Sequence, residues 1–177
     1  SSSVTALLEY QINTSTGALT LQGQGTALNI SGTGRSTQVY VTPNNQYVYV
    51  GLGTSGVDTF AFNSSTGALS NQGHLAPLAS GGPADNAITA DKNSAFLFVG
   101  ETGKGIRVLT IGSGGSLHEI SGSPFATQLG PTSIVVDPTN SYVYVANQTA
   151  SAITGYTLAA NGGLTPLSSS PFTSGTG

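Results

Sequence analysis

The chain has 177 residues, a net charge of −3 and only 6% charged residues, where soluble domains average about 25%. With four basic residues in all, it has no positive stripe that could follow a nucleic-acid backbone or an anionic membrane surface. The absence of cysteine excludes disulfides, thiolate nucleophiles and Cys-ligated metal sites, and no apolar run reaches the length of a membrane span.

The polarity of the chain comes from Ser, Thr, Asn, Gln and Gly rather than from charged side chains. A surface of hydroxyls and amides suits an extracellular, periplasmic or cell-surface protein, which is the location we expect. Methionine is absent, even at position 1, so we also expect a processed product or a fragment.

Residues 1–34 contain half of a repeating unit. The partial alternation over 7–12 predicts a strand, 13–17 a turn, and 19–21 the start of a second strand. Residues 63–69 repeat 13–19 almost letter for letter, which places the same turn in the next unit.

Residues 35–82 form the first complete unit. Its apolar segments at 39–41, 47–50 and 57–62 predict three strands, and a fourth follows the repeated turn. Between the first two strands, Pro43 sets φ and the two asparagines after it tolerate the left-handed region, so we expect a tight turn there.

Residues 83–130 and 131–177 are two more complete units, each with four predicted strands and a Ser-Pro-Phe sequence after the fourth. Asp91 and Asp137 begin the first turn of these units, where Thr42 stands in the first, and we expect them to accept hydrogen bonds from turn amides. The predicted strands are 88–90, 96–99, 106–111 and 117–120, then 134–136, 142–145, 153–158 and 164–167.

The repeat period is about 47–49 residues, which is typical of propeller blades. Four short strands per period with tight turns predict an antiparallel meander. Segments such as 47–50 are apolar on both faces and need cover on both, which neighbouring blades supply. The sequence therefore predicts an all-β fold, an arc of four-stranded antiparallel propeller blades.

The segment Asp-Pro-Thr-Asn-Ser-Tyr-Val-Tyr-Val-Ala-Asn at 137–147 resembles the repeat signature of YVTN-type propellers, which are grouped with the seven-bladed lactonase-like family. The Ser-Pro-Phe…Gly-Thr-Gly linker is similar to that of secreted bacterial members. The resemblance covers essentially the whole chain and implies seven blades, or twenty-eight strands. It implies an alternative function as a lactone hydrolase of the phosphogluconolactonase type.

The predicted strands number fourteen, half of what the resemblance implies. With strands A to D counted outward from the channel, residues 1–34 supply only C and D. An unpaired strand edge invites association, so we expect no closed monomeric ring. The missing strands would come from the rest of a longer parent chain, which we favour, or from the protein's own copies.

The candidate ligand-binding residues are Arg35, Asp85 and Asn86. They lie where the first strand of a unit begins, and they break the repeat, since the aligned residues are Ser36–Thr37 and Pro131–Thr132 for Asp85 and Asn86. A carboxylate, an amide and a guanidinium at a channel mouth could bind a polar ligand. The alternative is that the three are ordinary surface residues.

Glu101, Lys104 and Arg107 form a secondary polar cluster around the turn between the second and third strands of one unit. Glu101 stands where the other units have Leu52 and Asn147. We expect a solvated ion pair of Glu101 with Lys104, with ligand binding as the alternative.

The remaining candidate residues are two histidines and the asparagines of glycosylation sequons, and they give less reason to expect a reaction. His74 and His118 fall on or beside outer strands, where we expect exposed surface histidines, and no nucleophile elbow accompanies them. We predict no catalytic set, no metal site and no cofactor from these residues. The Asn-x-Ser/Thr sequons, close to the number expected by chance, are candidate glycosylation acceptors at Asn13, Asn29, Asn63 and Asn147.

Two functions stay open. The first is a secreted or cell-surface scaffold that binds its own copies, glycans or other surface proteins through its open blade edges. The second, implied by the resemblance, is hydrolysis of sugar lactones, which needs an activated water and hence a well-placed carboxylate or histidine.

Overall fold

The structure, a computed structural model, describes residues 6–27, 36–78 and 85–175. Within these ranges the chain forms β-strands and one short 3₁₀ turn, Ser113–Gly115. The strands are β1 (Ala6–Ile12), β2 (Leu19–Ala27), β3 (Gln38–Val41), β4 (Tyr47–Gly51), β5 (Val57–Phe62), β6 (Leu69–Leu75), β7 (Asp85–Ala90), β8 (Phe96–Glu101), β9 (Gly105–Ile111), β10 (Leu117–Glu119), β11 (Pro131–Val136), β12 (Tyr142–Asn147), β13 (Ala152–Leu158), β14 (Leu164–Pro166) and β15 (Phe172–Thr173).

The strands form one antiparallel pair and three antiparallel meanders, as the sequence predicts. β1 and β2 make a two-stranded half-blade. Blade I is β3 to β6, blade II is β7 to β10, and blade III is β11 to β14, each with its strands paired in chain order. The chain is therefore an all-β arc of propeller blades, and β1 corresponds to strand C of the complete blades.

The outer strand differs between the blades. In blade I it is the continuous β6, whereas in blade III it is split into β14 and β15, which both pair with β13. The Ser-Pro-Phe sequence causes the split: between the two segments, the Ser170 hydroxyl accepts a hydrogen bond from the Gly155 amide at 3.0 Å. Blade II has the same arrangement, with Ser123 bonded to Val108 and Phe125 bridging back to Ile106.

The first strands of the blades lie side by side at the inner edge of the arc, where β7 packs next to both β3 and β11. The Gln38 side chain joins two of them. Its amide nitrogen donates to the Ile88 carbonyl at 2.9 Å and its amide oxygen accepts from the Ile88 N–H at 2.7 Å. The side chain thereby pairs with backbone groups at the free edge of β7, which lowers the cost of leaving that edge without a strand.

The hydrophobic core lies between consecutive sheets. Tyr49 of β4 packs in the cluster shared with blade II, while Val48 and Val50 of the same strand pack in the cluster shared with the half-blade. A strand that is apolar on both faces is thus buried on both faces, because side chains alternate along a strand. The Tyr49 hydroxyl donates a hydrogen bond to the Gly115 carbonyl of the 3₁₀ turn, 3.3 Å away.

The turns between strands A and B form as predicted. Asp91 Oδ1 accepts hydrogen bonds from the Ala95 and Phe96 amides, each at 2.7 Å, and Asp137 Oδ1 does the same for Ser141 and Tyr142. These are turn-stabilising carboxylates, since each satisfies backbone donors that the tight turn leaves unpaired.

Neighbouring A–B turns are also joined to one another. Asn45, Ser94 and Asn140 occupy the same turn position, with φ of 55°, 55° and 60°. The Ser94 hydroxyl accepts from the Asn44 amide of blade I, and Asn140 Oδ1 accepts from the Lys92 amide of blade II, both at 3.1 Å. One belt of side-chain hydrogen bonds therefore links the three blades.

Candidate functional site

Each blade has two ends. The A–B and C–D turns lie at one end, and the B–C turns lie at the other, together with the linkers that lead from strand D into the next strand A. The sequence-predicted site residues fall at this second end of blade II. Asp85 begins β7 and is the register partner of Glu101, which ends β8.

The two predicted clusters are thus brought to the same end of one sheet. Asp85 and Asn86 are placed there by the backbone of β7. Arg35 lies outside the described residues. Its sequence position, just before Ser36 and Thr37, corresponds to the same entry point of blade I.

Glu101 and Arg107 form a buried ion pair. Their side chains are 2% and 6% exposed, and Arg107 Nη1 lies 3.2 Å from Glu101 Oε1. Glu119 completes the cluster: Arg107 Nη2 donates to its Oε2 at 3.1 Å. Because charged groups buried without partners are very costly, the arginine and its carboxylates stabilise the fold only as a set.

The cluster fastens the linker between blades I and II. Arg107 Nη1 donates to the Ala76 carbonyl at 2.9 Å, and the Leu78 amide donates to Glu101 Oε1 at 3.1 Å. The predicted pair of Glu101 with exposed Lys104 does not form; Lys104 contributes its backbone amide, which donates to the Glu101 carbonyl at 3.1 Å.

Blade III places neutral groups at the equivalent positions. Asn147 corresponds to Glu101 and Thr154 to Arg107, and Asn147 Nδ2 donates to Thr154 Oγ1 at 2.9 Å. Thr127 of the preceding linker donates to Asn147 Oδ1 at 3.0 Å. The sequon at Asn147 is therefore closed to glycosylation in the folded chain, because its amide is buried and hydrogen-bonded.

The other sequons differ in position. Asn13 and Asn63 lie in exposed C–D turns, where each side-chain oxygen accepts hydrogen bonds from the amides two and three residues further on. Asn29 lies outside the described residues. Glycosylation at Asn13, Asn29 and Asn63 stays a prediction.

Blade I has Asp58 at the position of Arg107. Asp58 is fully buried, and its Oδ1 lies 2.8 Å from Nδ1 of His74 on the outer strand. The His74 side chain is 31% exposed, and His118 is exposed. The sequence analysis placed both histidines on the surface and did not identify Asp58 as the partner of His74. The sequence did contain a signal, because Asp58 and Arg107 are charged residues at matching positions of the apolar strands β5 and β9.

The starts of the inner strands are rich in hydroxyls. Ser36 and Thr37 precede β3, and Thr132 and Ser133 lie near the start of β11; all four are exposed. Asp85 is the only carboxylic acid at the aligned first two positions of these strands. A carboxylate can accept a proton from water, and hydroxyl groups can hydrogen-bond a polyhydroxy ligand.

A depression with a volume of about 620 Å³ lies at the opposite end of blade I. Its lining is amide, hydroxyl and apolar, including Asn44, Gln46 and Ser64, and it contains no titratable side chain. Because its lining has no titratable side chain, this depression offers no group for acid–base chemistry.

Burial raises the pKa of the Tyr49 and Tyr156 hydroxyls above the usual tyrosine range. Both hydroxyls donate to backbone carbonyls, of Gly115 and Ala126 respectively, so they have structural roles. Across residues 6–27, 36–78 and 85–175, no three His, Asp or Glu side chains gather as a metal site would require. The same residues contain no helix with the length and apolarity of a membrane span.

Comparison with family models finds one match, described as "Lactonase, 7-bladed beta-propeller", over residues 1–176. Comparison with curated proteins finds no match.

Solved structures with the same fold include lactonase-like propellers at low identity. A putative 6-phosphogluconolactonase from Bacteroides uniformis is 16% identical with a TM-score of 0.81, over 94% of this chain and 48% of its own. A protein from Lactobacillus plantarum is 22% identical with a TM-score of 0.73, over 90% and 47%. The periplasmic gluconolactonase of Pseudomonas aeruginosa is 23% identical with a TM-score of 0.65, over 86% and 45%. The chain spans about half the length of these proteins.

Proposed function

The chain belongs to the family of seven-bladed β-propeller lactonases, and we propose that it supplies part of a lactone hydrolase that acts on sugar lactones. The family match, which runs over residues 1–176, is the observation that carries this proposal. Two of the similar structures bear names of sugar-lactone enzymes, which supports the same substrate class.

The proposed reaction adds water to the lactone carbonyl. A carboxylate accepts a proton from the water as its oxygen attacks the carbonyl carbon. The ring C–O bond then breaks as the ring oxygen takes that proton from the carboxyl group, which gives the open hydroxy acid and restores the carboxylate. General-base catalysis of this kind contributes about 10²–10⁴-fold.

Asp85 is the residue we assign as general base. By sequence position it is the one carboxylic acid at the entries of the three inner strands, where the aligned residues carry hydroxyl or amide groups or are proline. We assign Asn86 and the exposed Thr132 to substrate hydrogen bonding, and Arg35 to the anionic group of a phosphorylated or carboxylated lactone.

The experiment is a lactonase assay of the full polypeptide with sugar δ-lactones, with and without a phosphate, followed by pH-stat. Asp85→Asn should lower kcat by about 10²-fold or more, because the amide cannot accept the proton. Arg35→Ala should raise KM for the phosphorylated substrate and leave KM for the neutral one unchanged.

His118→Gln is the matched control, because His118 is an exposed titratable residue on an outer strand. It should retain full activity. Equal activity of Asp85→Asn and the parent would remove Asp85 from the mechanism, and no turnover of any sugar lactone would reject the proposal.

A second candidate function is a binding or structural scaffold. Its support is the apolar surface left open on blade III, where Val135, Tyr142 and Tyr144 are exposed. Light scattering tests it: a monodisperse monomer that retains no glycan or surface-protein partner would contradict the scaffold. A location in the periplasm or outside the cell is part of this proposal and is supported by the periplasmic neighbour.

A further inference from the structure

Asn161 is the only asparagine in the sequence that is followed by a glycine. An asparagine carboxamide can react with the main-chain nitrogen of the next residue, and a glycine leaves that nitrogen open to reaction because it has no Cβ. Asn161 and Gly162 lie in the C–D turn of blade III, between β13 and β14. Asn161 is exposed, so water and hydroxide reach this turn.

The turn folds the Asn161 carboxamide back toward the Gly162 nitrogen. Asn161 Oδ1 accepts a hydrogen bond from the Gly163 amide at 3.1 Å, which closes a ring around the intervening peptide unit. The same bond draws electron density from the side-chain carbon Cγ and makes it easier to attack. The attacking nitrogen is restrained by one turn bond, in which the Gly162 N–H donates to the Ala159 carbonyl at 2.9 Å. Because residues 159–161 are exposed, this bond opens at low cost.

Asn63 has the same turn bond without the glycine. It is exposed in the C–D turn of blade I, and its Oδ1 accepts from the Ser65 amide at 3.0 Å. The next residue is Ser64, whose Cβ hinders the approach of the carboxamide to the main-chain nitrogen. Asn63 and Asn161 therefore differ at the reacting nitrogen, whereas their exposure and their turn hydrogen bond are alike.

The turn that holds Asn161 is also a contact between blades. A Cβ on Gly162 would lie 2.7 Å from the Phe96 ring of β8, and a Cβ on Gly115 of blade II would lie 2.8 Å from the Tyr47 ring of β4. Leu164, two residues after Gly162, is 6% exposed and belongs to the core cluster against which Phe96 packs. The main chain at Gly162 therefore has no free space toward blade II.

We propose that Asn161 is a self-modification site, where the folded chain converts asparagine to isoaspartate and thereby loosens the contact between blades II and III. The Gly162 nitrogen gives its proton to hydroxide and attacks Cγ of Asn161, so that a C–N bond forms. The side-chain nitrogen takes a proton from water and leaves as ammonia. The product is a five-membered cyclic imide.

Water then opens the imide in one of two ways. Cleavage between the nitrogen and Cγ gives aspartate with the main chain unchanged. Cleavage between the nitrogen and the original main-chain carbonyl gives isoaspartate, in which the main chain runs through Cβ and Cγ and is one carbon longer. Both products have one more negative charge than the parent chain, but only isoaspartate displaces the backbone that Phe96 contacts.

The first experiment follows conversion in the folded protein. The full chain is incubated at mildly alkaline pH, and its proteolytic peptides are analysed by mass spectrometry, with isoaspartyl and aspartyl forms separated by chromatography. Conversion at Asn161 should be about tenfold or more faster than at Asn63, since glycine leaves the nitrogen unhindered. Asn161→Gln should abolish the conversion at this position over the same period, because its longer side chain would have to close a six-membered ring.

The second experiment measures the consequence for the fold. The modified protein is separated from the parent by ion exchange, and both are unfolded in urea. The fraction of molecules that unfolds at lower urea concentration should equal the isoaspartate fraction found in the peptides. Asn161→Asp is the matched control, because it adds the same charge and can still accept from the Gly163 amide while the main chain keeps its length. It should unfold at the urea concentration of the parent.

Equal conversion rates at Asn161 and Asn63 would overturn the proposal. Conversion at Asn161 in urea but not in the folded chain would overturn it as well, because the turn would then protect the residue. The proposed loosening is also overturned if the isoaspartate form unfolds with the parent, or if Asn161→Asp loses as much stability as the isoaspartate form, since charge rather than main-chain length would then be the cause.

Discussion

Blades II and III bind the linker from the preceding blade at the same position, a contact that we call the joint, but with different pairs of side chains. In blade II, buried Glu101 and Arg107 hold the incoming linker, with Glu119 as the third member. In blade III, Asn147 and Thr154 occupy the matching positions and hold the next linker through Thr127. In these two blades a hydrogen-bonding pair meets the linker at this point, and the pair need not be charged.

The two forms differ in what happens when one member is removed. A neutral pair that loses a partner leaves a buried dipole unsatisfied, which costs about 1–3 kcal/mol. A buried ion pair that loses a partner leaves an uncompensated charge, which costs about 3–5 kcal/mol. The predictions below test this difference, beginning with the largest expected effect.

Arg107→Met should destabilise the protein by about 3–5 kcal/mol, because it leaves Glu101 buried without a counter-charge and releases the Ala76 carbonyl. The measurement is the free energy of unfolding in urea at pH 7. A loss below about 1 kcal/mol would contradict a buried cluster, since that is the size of an exposed pair.

The double variant Glu101→Asn with Arg107→Thr transfers the blade III pair into blade II and is the control. It should recover most of the stability that Arg107→Met loses, because no buried charge stays unpaired and Glu119 is 29% exposed and can be hydrated. If the transferred pair were as unstable as Arg107→Met, the two joints would not be equivalent.

Thr154→Val should cost about 1–3 kcal/mol, since it keeps the side-chain volume but removes the hydroxyl shared by Asn147 and Thr127. The same urea titration measures it. Thr157→Val, on an exposed position of the same strand, is the matched control and should change the free energy of unfolding by less than about 0.5 kcal/mol.

The smallest effect concerns an exposed carboxylate at the other end of blade III. The Thr139 hydroxyl, followed by the Tyr142, Ser141 and Thr139 amides, lowers the pKa of Asp137 from 3.8 to about 2. A lowered pKa means that the contribution of Asp137 to stability is present above pH 3.8 and is lost as the pH falls through about 2.

Thr139→Val should therefore move the Asp137 pKa upward toward 3.8, so that this contribution disappears at a higher pH than in the parent. An NMR titration of the Asp137 carboxyl carbon measures the shift. An unchanged pKa would show that the amide hydrogen bonds alone hold it down.

The repeat pattern was sufficient to predict the fold, because alternation and turn residues act locally. The residues 142–145 and the turn before them predict β12 and its hairpin correctly. The interruption of the outer strand was not predicted. At the interruption, the Ser170 hydroxyl takes the place of a backbone acceptor for the Gly155 amide of β13, and Phe172 pairs with Ile153 beyond it. That pairing depends on contacts between residues distant in sequence.

The candidate site was less predictable for a similar reason. Glu101 and Arg107 stood out in the sequence as departures from the repeat, but their burial and their third partner, Glu119, are set by how the linker crosses the sheet. Asp58 was overlooked because its partner, His74, lies on the next strand. The pairing becomes evident only from the register between β5 and β6. The assignments of Arg35, Asp85 and Asn86 stay predictions.

The contacts at Gly115 and Gly162 also bear on curvature. Each is a point at the outer rim where a ring from one blade presses on the backbone of the next, with no room for a Cβ. Two sheets that touch at their inner strands and at such a rim point meet at a fixed wedge angle, and the wedge angle determines how many blades close a circle. A larger residue at Gly115 or Gly162 would push the neighbouring blade outward at this point and change the angle at which the two sheets meet.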